Sequence, residues 1–404
     1  MLRREKVILD KIDERLIQKV QTLGSDNVSA IIFFCEDDCE QCKEYLQDMD
    51  IQIKYNLPFI KAYAVEIPGT KLETMARSDI VRYISDDTDI ESLLNIATQE
   101  VGARIANRSG YTGKGVGIAI LDTGTYPHPD LTMPRNRIIA FKDFVNKKIS
   151  AYDDNGHGTF VAGVAAGNGY GSRGEYAGVA PDAEIISIKV MDNKGQGNTS
   201  DILAGMQWVV DNHKEFNIRV MSLSLGSETS SIVKNDPLAV AVGEVWKRGI
   251  VVVAAAGNSG PRQGTITTPG VNASIITVGA VDDKRTTDIS DDEIAEFSSR
   301  GPALGGILKP DVVAPGVDVV SLNTDKNYKS GQIPSVLKKK YITLSGTSVS
   351  TPIVSGLAAL MFEKNPDYTP NQIKKLFMEN CHSISNDKYA EGSGIVEIGK
   401  IFKI

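Results

Sequence analysis

From about residue 115 onward the chain alternates short, near-continuous runs of Val, Ile and Ala with longer stretches of helical period. A strand with one wet face alternates apolar and polar residues, whereas a strand buried on both faces reads as an unbroken apolar run. Such strands are predicted at Val116–Leu121, Glu184–Met191, Arg219–Leu225, Ile250–Ala256 and Ser274–Val281. Helices are predicted at His157–Ala166, Ser200–His213, Pro237–Lys247, Ser348–Lys364 and Pro370–Asn380. Parallel neighbours need a crossover, usually a helix, so the pattern specifies an α/β fold, a parallel sheet with helices on both faces.

Three junctions in this pattern carry hydrolytic chemistry. Asp122 closes the run Gly117-Ile-Ala-Ile-Leu-Asp122-Thr-Gly124. His157 lies in Asn155-Gly-His157-Gly-Thr-Phe-Val-Ala-Gly163, and Ser348 in Leu344-Ser-Gly-Thr-Ser348-Val-Ser-Thr-Pro352. Each sits where a strand or Gly-rich turn gives way to a helix, so all three side chains can face one cleft. A serine hydroxyl is a poor nucleophile at neutral pH and needs a base of imidazole's pKa within hydrogen-bond reach. Ser348 is therefore read as nucleophile, His157 as base and then acid, and Asp122 as the group that fixes the imidazole tautomer. Ser348 also opens an apolar helix, whose free N–H groups favour developing negative charge. Asn258, in Val251-Val-Val-Ala-Ala-Ala-Gly-Asn258-Ser-Gly260, supplies a side-chain amide of the kind that forms an oxyanion hole. Of the other three histidines, His128 reads as a surface turn residue, His213 as a helix C-terminus and His382 as following a helix.

The Asp, His, Ser order is that of subtilisin. With these four motifs, residues 96–404 resemble a subtilisin-like serine protease, a subtilase, of the intracellular, prodomain-bearing type. The resemblance implies a serine endopeptidase that acts on protein or peptide substrates and needs no cofactor. It implies that Ser224-Leu225-Gly226 and Ala255-Ala256-Gly257 wall the primary specificity pocket. It places Thr267 near the pocket floor, making it shallow, and Gly195-Gln196-Gly197 as an edge strand that pairs with an extended peptide. Thr268–Pro269 is a candidate cis bond. Asp311 aligns with the carboxylate of one weak calcium site, with backbone oxygens near Pro269 and Val271 completing it. The loop 167–176 lacks the oxygen side chains of the family's strong calcium site. A non-catalytic regulator and a processing protease dedicated to one partner are the rival readings. An intact triad disfavours the first; the sequence does not separate the second.

Residues 1–95 read as a separate small α+β module. Residues 1–24 are predicted to form an amphipathic helix and Val28–Phe34 a strand. A helix over Asp37–Met49, a strand over Phe59–Ile67, a short helix over Lys71–Arg77 and a strand over Ile80–Ile84 follow. Position and pattern resemble a subtilase propeptide, which implies an N-terminal domain acting as inhibitor and folding aid, cut close to Leu94–Ile96. Residues 85–95 read as an acidic linker. The whole net charge of −7 lies in residues 1–95, 12 Lys and Arg against 19 Asp and Glu. No basic stripe points to nucleic acid, and no apolar run reaches the length of a membrane span. The first residues lack a signal-peptide core, and Cys35, Cys39, Cys42 and Cys381 read as free thiols, so a cytoplasmic location is expected.

Overall fold

The computed structural model describes residues 11–13, 16–17, 20, 27–35, 39–57, 61–86, 93–228, 235–332, 334 and 337–404. The chain forms two compact units, 1–90 and 91–404.

In the first unit, β1 (Asn27–Phe34), α1 (Cys39–Asp48), β2 (Gln52–Leu57), β3 (Ala62–Pro68), α2 (Leu72–Ala76) and β4 (Val81–Asp86) build an antiparallel sheet of order β2-β3-β1-β4. Along β1, buried Val28, Ala30, Ile32 and Phe34 alternate with more exposed residues. This is the period of a sheet with one packed face, and Cys42 and Leu46 of α1 join the same core. Most of the helix predicted over residues 1–24 lies outside the described residues. Within it, Ile12 makes a parallel bridge to Ile84, so the chain is extended there, while Leu16, Ile17 and Val20 are helical. Strand β2 escapes the sequence pattern because it is a largely exposed edge, Gln-Ile-Lys-Tyr-Asn-Leu, with little apolar signal.

The second unit opens with two helices, α3 (Leu93–Glu100) and α4 (Ala103–Arg108). The acidic stretch read as a linker therefore turns helical at Leu93, with Ile96 and Ala97 buried. Next come β5 (Gly117–Asp122), α5 (Pro129–Thr132), β6 (Ile138–Asp143), α6 (His157–Ala166), β7 (Glu184–Lys189), α7 (Thr199–Asn212) and β8 (Ile218–Leu223). They are followed by α8 (Pro237–Lys247), β9 (Val251–Ala255), β10 (Ile276–Asp282), β11 (Glu293–Ile294), β12 (Val312–Pro315) and the hairpin β13 (Val319–Leu322) with β14 (Tyr341–Leu344). Then α9 (Thr347–Lys364), α10 (Pro370–Glu379), β15 (Cys381–His382), α11 (Lys388–Glu391), β16 (Ile395–Val396) and α12 (Ile398–Phe402) close the chain.

The main sheet runs β15-β16-β12-β10-β9-β8-β5-β7-β6, with β11 paired to β10. From β12 to β6 every pairing is parallel. Strands β5 and β9 are buried at every position, as their unbroken apolar runs require. Helix α9 is buried almost throughout, which explains a helix with no polar face. The order matters for function. Strand β5 has β7 and β6 on one side and β8, β9 and β10 on the other, so the winding reverses at β5. In open α/β sheets the crevice at the carboxyl ends of the strands, at such a reversal, is where ligands bind. Asp122 is the last residue of β5.

Candidate active site

Each of the three expected triad residues stands at the end of an element facing this crevice. His157 is the first residue of α6 and Ser348 the second of α9. The imidazole Nδ1 lies 2.8 and 2.9 Å from the two oxygens of Asp122. Asp122 is buried, and its Oδ1 also accepts the Thr123 N–H at 2.7 Å. Burial disfavours the imidazolium, but the Asp122 charge and hydrogen bond, with Asp153 behind them, outweigh it and hold the His157 pKa above its ordinary value. The close approach of α6 to β5 depends on Gly158. A Cβ there would collide with the Gly124 carbonyl oxygen and lie 3.1 Å from the Asp122 Cβ.

At the head of α9, Gly346 takes φ 150°, a conformation L side chains rarely adopt. A Cβ at Gly346 would stand 3.2 Å from Ser348 Oγ and 3.6 Å from Asn258 Nδ2, so the hydroxyl and the amide border one small space. Asn258 is oriented by Thr347, whose N–H and Oγ1 donate to Asn258 Oδ1 at 2.9 and 3.0 Å. With its carbonyl pinned, its NH₂ turns the other way. Ser224 Oγ donates to the Ser348 carbonyl at 2.8 Å, tying the pocket wall to the helix start.

A cavity of about 270 Å³ beside Ser348 is lined by Ser224, Leu225, Gly226, Ala255, Gly257, Asn258 and Thr267, among others. Thr267 spans its base: Cβ atoms added to Gly226 and Gly257 would meet its Oγ1 at 2.6 Å and its Cγ2 at 2.7 Å. Ala256, expected in the wall, is instead buried in a small apolar cluster with Ala239, Ile266, Val271 and Ala303. Its alternation along the extended segment points it away from its neighbours' face. Thr268–Pro269 is cis. Near Gly195-Gln196-Gly197 a groove of about 420 Å³ is lined by Val145, Val190, Gln196, Gly197 and Asp201, with Asp192 and Asn198. Gln196 turns both backbone groups inward: its N–H donates to Asp192 Oδ1 at 2.9 Å and its carbonyl accepts from Asp192 N at 2.8 Å.

Several positioning groups went unread in the sequence. Asp153 is buried and accepts five hydrogen bonds, from Thr123 Oγ1, Asn155 N and Gly156 N on Oδ1 and from Thr159 N and Oγ1 on Oδ2. It knits the turn before His157 to the residue after Asp122. Its one sequence signal is an Asp four positions before the His in a turn-rich stretch. Lys189, fully buried, donates to the carbonyls of Thr123 and Met191 at 2.6 and 2.8 Å and pairs with Asp154 at 2.7 Å.

Two further expectations are corrected. His128 is wholly buried; its Nδ1 accepts the Asp130 N–H at 3.1 Å and caps α5. Asp311 does not fit a calcium site. Its Oδ2 takes Lys309 Nζ at 2.6 Å and Thr277 N at 2.8 Å, and its Oδ1 takes Lys374 Nζ at 2.8 Å. The same ammonium groups occupy the carbonyl oxygens of Ala273 and Ile275. Two lysine cations already fill the oxygen nest that a metal would use. Among the described residues no group of three or more His, Cys, Asp or Glu side chains is arranged to hold a metal ion. Among them, too, no helix is long and apolar enough to cross a membrane.

The comparisons with known proteins agree with this geometry. The family model described as "Subtilase family" matches residues 113–394. The chain is 42% identical over 338 residues to serine protease AprX of Bacillus subtilis (strain 168), covering 80% of this chain and 75% of that protein. It is 34% identical over 355 residues to the M-protease of Shouchella clausii (strain KSM-K16), covering 87% and 81%. Among solved structures, sphericase superposes with a TM-score of 0.58 at 29% identity, covering 78% of this chain and 95% of that one. A cold-adapted subtilisin-like serine proteinase gives 0.54 at 30%, covering 71% and 89%. With a crevice at the sheet's reversal, an Asp-His pair and a serine at a helix head, the chain belongs to the subtilase family and is a serine endopeptidase.

Proposed function

We propose that Asp122, His157 and Ser348 carry the peptide-bond hydrolysis and that Asn258 stabilises its oxyanion. The observation that carries the assignment is the double contact of His157 Nδ1 with Asp122, which keeps the proton on Nδ1 and leaves Nε2 as base. Ser348 Oγ attacks the scissile carbonyl carbon as Nε2 takes its proton. Asn258 Nδ2 and the Ser348 N–H hold the oxyanion, and His157 then protonates the leaving amine. Water repeats the sequence to release the acyl group. The peptide lies extended, pairing at Gly195 and Gly197, with its residue before the cut in the cavity floored by Thr267; that shallow cavity favours a modest apolar side chain.

A serine-directed phosphonate should label wild type and leave Ser348→Ala unlabelled; equal labelling sinks the assignment. Asn258→Ala should lower kcat by roughly 10²–10³-fold, the loss found for the corresponding donor in subtilisin, a relative of this chain, with KM little changed.

The reading includes a zymogen. The first unit folds around its own core and carries the net negative charge, as a detachable inhibitor and folding aid would. Because α3 begins at Leu93, a bond near residues 94–96 is presented to the cleft only after the first turn of α3 unwinds. Purified wild type should yield one N-terminal fragment ending there, by mass spectrometry, while Ser348→Ala stays full length; processing of the Ala variant in pure form would refute self-cleavage. A cytoplasmic site of action is supported by Cys35 and Cys381, both free thiols. Cell fractionation tests it.

A further inference from the structure

The cavity beside Ser348 does not end at Thr267. Ser227, the residue after Gly226, is tied to Thr268, the neighbour of the floor residue. Its N–H donates to the Thr268 carbonyl at 3.1 Å, and its own carbonyl accepts the Thr268 N–H at 3.0 Å. Glu228 therefore stands just past the floor, and it lines the same cavity of about 270 Å³ as Ser348. It is the one charged side chain in that lining. Glu228 and Ser259 also border a second cavity, of about 300 Å³, where Arg262 joins them. Glu228 and Arg262 are both exposed, and among the described residues neither is engaged in an ion pair.

We propose that Glu228 selects lysine or arginine as the residue before the cut, alongside the modest apolar residues that the floor admits. The inference rests on the reading that this cavity receives that residue. Thr267 stands against Gly226 and Gly257 and takes width from the pocket, so a broad ring is shut out. An unbranched stem is not. A lysine stem packs along Leu225 and Ala255, both buried, and carries its ammonium past Thr267 to the carboxylate. A glutamate in the same place meets repulsion, and a neutral chain of equal length gains only its burial. Water leaves the cavity as the peptide fills it, which strengthens the pair over one on an open surface. Arg262 acts against it from the second cavity, because a guanidinium repels the incoming ammonium.

The test uses the purified chain, its active sites counted by the phosphonate label, and peptides that differ only in having lysine, norleucine, phenylalanine or glutamate before the cut. At low salt Glu228→Gln should lower the ratio of kcat/KM for lysine to that for norleucine by roughly fivefold. Arg262→Gln should raise the same ratio by about twofold, and both effects should shrink at about 1 M salt. Thr267→Ala, which widens the floor and keeps Glu228, should raise phenylalanine over norleucine, and so checks the pocket reading separately. A phenylalanine gain in Thr267→Ala, with a lysine-to-norleucine ratio that Glu228→Gln leaves unmoved, overturns the role of Glu228 alone. If neither substitution moves its ratio, the cavity does not receive the residue before the cut, and the inference falls with the pocket assignment. A wild type that cuts after lysine no better than after glutamate also overturns it.

Discussion

Two sets of buried carboxylates in one unit meet the same electrostatic problem in opposite ways. Asp122 and Asp153 are 1% exposed each and surrounded by donors: the imidazole, the N–H groups of Thr123, Asn155, Gly156 and Thr159, and two threonine hydroxyls. Glu100 and Asp292 are also buried, and their hydrogen bond is to each other, with a carboxyl proton as its donor. Burial therefore does not decide whether a carboxylate is a good anion; the donors around it do. At the active site the preorganised donors make Asp122 a fixed negative charge that holds His157 as a stronger base. At the α3 edge burial and neighbouring carboxylates hold both carboxyls above their ordinary range, so the pair keeps a proton between them.

The comparison breaks most visibly at Asp122. Asp122→Asn keeps the shape but removes the charge and offers the wrong tautomer partner, so kcat/KM should fall by about 10⁴-fold, read with a peptide substrate. A loss of less than tenfold would mean that the donors around Asp122, not its charge, do the catalytic work.

Asp153→Asn should act less strongly and through His157. Its amide must set an N–H against one of two groups of donors, a cost of about 1–3 kcal/mol in unfolding free energy. The kinetic signature has a definite sign. His157 is active when neutral and its pKa stands above 6.5, so wild-type kcat/KM should fall with decreasing pH through a midpoint above that value. Removing the Asp153 charge takes away one contribution that raises the pKa, so the midpoint should move to lower pH. A lower melting temperature with an unmoved midpoint would confine Asp153 to a structural role.

The smallest effect has the opposite sign. Glu100→Gln alone should stabilise the Ser348→Ala chain at neutral pH by about 1 kcal/mol, because the amide donates to Asp292 without first having to take up a proton. Denaturant unfolding measures it, and destabilisation would show that the shared proton costs the fold nothing.

The same contrast explains what was legible beforehand. Asp122, His157, Ser348 and Asn258 announce themselves because local chemistry surrounds them: a strand end, glycines that permit close approach, a helix start. Helices His157–Ala166 and Pro237–Lys247 emerge with the limits read from the sequence, since apolar period and caps are local. Strand β6 leaves no clear signal in the sequence because it is a half-exposed edge with mixed polarity, and β12 because four residues carry too little pattern. Helix α3 falls where the sequence reads as a linker because acidic residues precede it, although Ile96 and Ala97 bury one side of it. His128 reads as a surface residue because a Pro-His-Pro turn looks exposed until other elements cover it.

Periodicity and motifs a few residues long are enough to specify the parallel α/β fold and the chemistry at its strand ends. Which distant groups share a space follows from the folded chain alone. Thr347 orients Asn258, two lysines take the nest at Asp311, and Glu100 meets Asp292 across nearly two hundred residues of chain. Charge and hydrogen bonding act over a few ångströms of space, and folding, not sequence order, sets those distances.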